Sequence, residues 1–143
     1  MKLSLVVADA NSAEDLAGVW MIVNYSLKSN KCFYGYYDAN KNALYLRDDD
    51  DAAWLGGFAP GSHTIIQNKA AKLDCARTTV SASGNALTVD WSVDFKEDFG
   101  GIKNSYAFVK DDSTAMQYWT QKGDYYFAPV SETAPVRYVH ARN

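Results

Sequence analysis

Apolar and polar residues alternate along much of the chain. The clearest case is 87–95, where Leu87, Val89, Trp91, Val93 and Phe95 are separated by Thr88, Asp90, Ser92 and Asp94. A period of two marks a strand with one buried face. "SGN" just before it, with Val80 on the far side, makes this segment the second arm of a hairpin. Residues 2–8 alternate in the same way, with Leu3, Leu5 and Val7 on one face. Residues 17–25, "AGVWMIVNY", have an unbroken apolar run from Trp20 to Val23, which predicts a central strand covered on both sides. A second hairpin is predicted over 32–38 and 43–48, across "DANKN", whose Asn and Asp residues tolerate tight-turn backbone angles.

Shorter strands are predicted over 63–67, 71–75, 103–110, 115–121 and 124–128, with "DDDDAA" a loop and "WLGGFAPGS" a Gly/Pro-rich corner. One helical turn fits at 13–16. No segment of ten residues or more carries a helical period. About 8–10 short strands with turn signals between them predict an all-β, antiparallel, Ig-like β-sandwich over 1–128. The tail 129–143, "PVSETAPVRYVHARN", lacks periodicity and reads as a linker or disordered end of a chain cut from a longer protein.

Composition narrows the functional classes. The 143 residues suffice for one core. The net charge of −3 comes without a basic run, so a nucleic-acid partner lacks its electrostatic footprint. No apolar run is long enough to cross a bilayer, so membrane insertion is not expected. "LSLVV" near the start is broken by Ser4 and stopped by Asp9, which is too short for a secretion leader. The aromatic content of 14 % suits strands. Cys32 and Cys75 are too far apart in sequence for a CxxC pair. They read either as buried free thiols or as one disulfide.

Candidate chemistry is sparse. His63 follows a Gly-Ser corner without a nucleophile elbow, His140 lies in the tail, and Glu14, Glu97 and Glu132 sit in polar loops. The chain is therefore read as a non-enzyme. Calcium is the candidate cation, because it takes six to eight oxygens from a wrapping loop. Asp9, Asn11, Glu14 and Asp15 form the favoured set, since alternating donors converge. Consecutive side chains diverge, so the 48–51 aspartates read as a solvated loop, as do Asp111 and Asp112.

The order of several segments adds a resemblance. "DAN", "EDL" and "MIVNYSL" are followed by "CFYGYYDANKNALYLRDD", "WLGGFAPGS" and "LDC", then by "TVSASGNALTVDWSVDFK" and "KNSYAFVKDD". Over about 3–128 this is similar to an Ig-like β-sandwich repeat domain of large secreted or cell-surface bacterial multidomain proteins. "TAMQYWTQKGDYYF" and "DDDD" depart from its pattern. The resemblance implies an extracellular domain beside other β-sandwich domains, with Cys32 bridged to Cys75.

A bridged Cys32 would point inward together with Tyr34 and Tyr36. Tyr37 would then face outward and could pair with Tyr45 as an exposed aromatic platform, enlarged by Trp54, Tyr118, Trp119, Tyr125 and Tyr126. Planar rings stack on sugar faces, and such a patch on a domain surface signals binding. The expected function is adhesion or carbohydrate recognition, with a polysaccharide or cell-surface ligand. A structural spacer and a glycoside or ester hydrolase are the alternatives.

Overall fold

The computed structural model describes residues 2–8, 12–96, 99, 101–111, 116–127 and 137–140, with side chains described for 2–8, 12–96, 99 and 103–110. In chain order the strands are β1 (Lys2–Ala8), β2 (Leu16–Asn24), β3 (Phe33–Asp38), β4 (Ala43–Arg47), β5 (Trp54–Phe58) and β6 (Ile65–Gln67). They continue as β7 (Ala71–Asp74), β8 (Thr79–Ser83), β9 (Ala86–Phe95), β10 (Gly101–Asp111), β11 (Met116–Phe127) and β12 (Arg137–His140). They form two six-stranded sheets packed face to face. One runs β12-β1-β9-β7-β6, with β8 also paired to β9; the other runs β11-β10-β2-β3-β4-β5. All pairs are antiparallel except β1 with β12 at one edge.

The all-β sandwich read from the periodicity is the observed architecture. Four details differ. "WLGGF" is a strand rather than part of a corner, with Gly56 and Gly57 at φ of 111° and 97° beside a register shift between β4 and β5. The stretches expected at 115–121 and 124–128 are one continuous strand, β11. Part of the tail, Arg137–His140, pairs in parallel with β1. The helical turn is a 3-10 turn over Ala13–Asp15.

The core lies between the sheets. Leu3, Leu5 and Val7 of β1 and Leu87, Val89, Trp91 and Val93 of β9 face Val19, Met21 and Val23 of β2 and Leu44 and Leu46 of β4. On β3 the inward residues are Phe33, Gly35 and Tyr37. Phe33 meets Trp91 of the opposite sheet edge to face at 5.7 Å, and Phe95 at 6.3 Å. A Cβ on Gly35 would sit 2.6 Å from Phe33 Cζ and 3.1 Å from Trp91 Cζ3. The two rings fill the space that any other side chain would need.

This packing corrects the expected faces and the expected disulfide. Cys32 and Cys75 are separate buried thiols. Cys32 precedes β3, and its Sγ lies 3.6 Å from the Lys28 carbonyl oxygen that accepts from it. Cys75 begins a 3-10 turn, Cys75–Arg77, between β7 and β8. Because Cys32 is outside the strand, its burial does not set the direction of Tyr34 and Tyr36. The aromatic packing of Phe33 does, and it turns Tyr37 inward.

Two polar residues close gaps in this framework. The Cys75–Arg77 turn interrupts what would be one strand along β9. Buried Thr78 fills the interruption: its hydroxyl donates to the Asp74 carbonyl at 2.8 Å and accepts from Ser92 N–H at 3.1 Å. Asn68, in the β6–β7 turn, ties the two sheets together. Its Nδ2 donates to the carbonyls of Cys32 at 2.8 Å and Arg47 at 3.0 Å. Its Oδ1 accepts from the amides of Ala70 and Ala71, both at 2.9 Å. A buried amide this fully satisfied fixes geometry as well as avoiding a desolvation penalty.

Gly35→Ala should lower stability by about 1–3 kcal/mol through overpacking, because Phe33 is held by two other rings and cannot retreat freely. Urea unfolding measures this directly. Burial also pushes the thiols up, Cys32 to about 12 and Cys75 to about 11, from an ordinary value of 9.0. Above that ordinary value the unfolded chain binds fewer protons than the folded one, so stability falls as pH climbs from 9 towards 12. Below pH 9 the contribution is fully present. Unfolding midpoints measured across that window should decline, and more shallowly in Cys32→Ala.

Candidate functional site

The outward residues of the second sheet line up in cross-strand rows. In one row Phe108 of β10 lies opposite Trp20 of β2, Trp20 opposite Tyr36 of β3, and Tyr36 opposite Tyr45 of β4. Trp20 and Tyr36 stack at 4.5 Å with an interplanar angle of 4°, and Tyr36 and Tyr45 at 5.3 Å and 20°. Phe108 meets Trp20 edge to face at 5.0 Å. Directly opposed rings on neighbouring strands stabilise a sheet. Gly18 makes room for the stack: a Cβ there would lie 2.8 Å from Trp20 and 3.0 Å from Tyr36.

In the next row Ile22 lies opposite Tyr34, and Arg47 opposite Trp54. Tyr34 and Trp54 meet at 4.8 Å, and the Arg47 guanidinium lies over the Trp54 ring at 5.1 Å. Ile22 faces outward but is buried, because these rings cover it. The expected two-sided cover of β2 is therefore real, and its outer layer is aromatic.

Beside this second row lies a groove of about 380 Å³. Its floor is Trp20, Ile22 and Tyr34. Leu27, Lys28 and Ser29 of the β2–β3 loop form one side; Arg47, Asp51 and Trp54 form the other. The two sides are joined. Arg47 Nε donates to Asp51 Oδ1 at 2.7 Å, and its Nη2 to the Asp51 carbonyl at 3.0 Å. Ser29 Oγ donates to Asp51 Oδ2. The Ser29 hydrogen bond, with the Arg47 guanidinium behind it, holds the Asp51 carboxyl below its ordinary range. Burial and the nearby Asp51 charge push the Tyr34 hydroxyl up, partly offset by Arg47. Burial and Asp38 push Tyr36 up to about 12, so these phenols stay protonated.

The 48–51 aspartates are a brace. Asp48 Oδ1 accepts from the Ala52 amide at 2.8 Å. Asp49 accepts from Lys31 N–H at its carbonyl, 2.9 Å, and from Lys69 N–H at Oδ1, 2.8 Å. Asp51 adopts φ of 55°, which turns its carboxylate back onto Arg47. Divergent side chains thus serve separate partners, as their adjacency in sequence suggested, but most are engaged rather than merely solvated.

The residues expected to bind ligand divide accordingly. Trp54 lines the groove, and Tyr45 belongs to the outward stack. Tyr37 does not join them: it is 5 % exposed, and its hydroxyl donates to Asn42 Oδ1 at 2.8 Å. Tyr45 pairs with Tyr36 instead, because Tyr37 lies opposite Leu44 on the core side. Tyr118 and Trp119 fall within β11, which flanks β10, and their side chains lie outside the described residues. Asp9 and Asn11 of the calcium set also lie outside them. Glu14 and Asp15 occupy the 3-10 turn capped by Ser12, with Glu14 exposed. Among the described residues no group of three His, Cys, Asp or Glu converges.

Trp20, Tyr34, Arg47 and Asp51 were not foreseen as site residues. For Tyr34 the signal was Gly35, a residue without a side chain at the centre of "FYGYY", marking the core face on which large rings cross the strand and so turning Tyr34 outward; Trp20, Arg47 and Asp51 carried no such signal. The chain matches no family model, no curated protein and no solved structure.

Proposed function

We propose that this β-sandwich is a non-enzymatic binding module that takes a saccharide in the groove beside Trp54. The observation that carries the reading is a groove on the outer face of a sheet in which Lys28, Ser29, Arg47 and Asp51 stand around the rings of Tyr34 and Trp54. Its volume falls in the range of small-ligand sites, roughly 300–1,000 Å³. Trp20 is stacked on Tyr36 and Trp54 carries the Arg47 guanidinium, so a sugar's C–H groups would meet the ring surface that Tyr34 and Trp54 leave exposed, while Arg47, Asp51, Ser29 and Lys28 offer donors and acceptors for hydroxyls. The Arg47–Asp51–Ser29 network supports binding rather than proton transfer. A carboxyl held below its ordinary range is a poor general acid.

The extracellular setting, bacterial surface adhesion and neighbouring Ig-like domains rest on the sequence resemblance alone. Two free thiols do not require an oxidising compartment. A spacer is the second reading, favoured by one observation: Tyr36 has a ring on each face, so much of the outer layer is satisfied by itself.

Calorimetric titration with a panel of neutral and acidic oligosaccharides separates the two. A binder should show a ligand whose affinity falls roughly tenfold or more in Trp54→Ala, about 1.4 kcal/mol, with the fold intact by circular dichroism. If no saccharide in the panel binds, or if Trp54→Ala binds like the wild type, the groove reading is wrong and the spacer stands.

A further inference from the structure

A second feature lies on the other side of the β2–β3 loop. Although the chain is acidic overall and has no basic run, the fold gathers lysines here with rings between them. Lys28 Nζ lies 5.5 Å from the Tyr25 ring centroid and donates to the Tyr25 hydroxyl at 3.3 Å. Lys103 Nζ lies 6.0 Å from the same ring and 4.5 Å from Phe99. Beyond Phe99 a cleft of about 220 Å³ is lined by Lys31, Lys69 and Ala70. The sequence of groups is therefore Lys28, Tyr25, Lys103, Phe99, then Lys31 and Lys69. It begins at the groove rim, since Lys28 also lines the groove.

The outermost lysines are fixed by their backbones, not by their charges. Lys31 adopts φ of 53°, and its N–H is held by the Asp49 carbonyl; the Lys69 N–H is held by Asp49 Oδ1. Both side chains are exposed. Among the described residues no carboxylate lies within ion-pair distance of either ammonium. Two acids of the adjoining loop are otherwise engaged: Asp49 holds the two amides, and Asp51 holds Arg47 and Ser29.

We infer that the Lys28–Tyr25–Lys103–Phe99–Lys31/Lys69 track is a binding surface for a linear polyanionic saccharide, one carrying carboxylates or sulfates along its length. The choice of a saccharide rests on the binding-module reading above; the charge of the ligand does not. Separated ammonium groups match charges spaced along an extended chain. The track offers a single exposed ring, Tyr25, whereas a single-stranded nucleic acid gains much of its affinity by stacking successive bases on open aromatic faces. Phe99 is buried, with Lys103 on it and Phe95 stacked at 5.3 Å.

The test uses heparin and polygalacturonate as acidic probes, dextran as a neutral polymer and an oligothymidylate as the nucleic acid. Affinity electrophoresis should show retardation by both acidic polymers that weakens as salt is raised, because exposed charges are screened. Lys31→Glu/Lys69→Glu should weaken this binding roughly tenfold or more. Lys31→Gln/Lys69→Gln, which adds no charge beside Asp49, should weaken it less while melting like the wild type. The track is overturned if both double variants bind the acidic polymers like the wild type, if dextran binds equally well, or if the oligothymidylate binds as tightly as the saccharides. Loss of all saccharide binding in Trp54→Ala with both lysine variants silent overturns the track and leaves the groove. Binding that needs the lysines but not Trp54 does the reverse.

Discussion

Phe33 and Trp91 meet in the space above Gly35, and the direction of every side chain on β3 follows from that contact. A strand has only two faces, and moving the register by one residue exchanges them. With Phe33 inward, Gly35 and Tyr37 are inward too, and Tyr34 and Tyr36 must leave the core. The partners of β3 then complete the outer layer: Trp20 from β2 and Tyr45 from β4 stack on Tyr36, while Trp54 from β5 meets Tyr34. The core contact and the aromatic groove are two sides of one strand.

The walls of the groove depend on a different set of bonds. The β2–β3 loop carries Leu27, Lys28 and Ser29, and buried Asn24 at the end of β2 holds it locally, its Nδ2 donating to the Lys28 carbonyl at 3.1 Å and the Asn30 carbonyl at 3.4 Å. Three further ties come from more distant segments. Ser29 reaches Asp51, Lys31 reaches the Asp49 carbonyl, and Asn68 clasps the Cys32 carbonyl from the other sheet. Asn68 also takes the Arg47 carbonyl, so the loop and the groove's arginine are positioned by one buried amide. Three of the four aspartates, which the sequence reads as a solvated loop, act here as loop anchors, and Asp49 among them sets the backbones of Lys31 and Lys69.

Much of the architecture was legible because period-two patterning survives wherever one face is buried. β9 reads directly from Leu87 to Phe95, and the turn before it reads from Gly84, whose φ of 60° closes the β8–β9 hairpin. β5 was hidden because two glycines and a proline suggest a corner. Its strand forms because Gly56 leaves space for Ile66, whose Cδ1 would lie 2.5 Å from an added Cβ. The site was harder to read. The cysteine at position 32 suggested which face was inward, but it stands one residue outside the strand and is buried by the Lys28 loop instead. Arg47 and Asp51 are four apart on a strand end and a loop, and only the positive φ of Asp51 brings them together. The lysine track has no sequence signature, since its members come from different loops and strands.

The orientation of β3 can be measured on the rings themselves. Assigned aromatic proton signals, recorded as a soluble gadolinium chelate is added, report which rings meet solvent. The account predicts strong relaxation at Trp54, Tyr45 and Tyr34, and little at Phe33, Tyr37 and Trp91. Relaxation of Tyr37 with protection of Tyr34 and Tyr45 would place the strand the other way round and remove the groove with it.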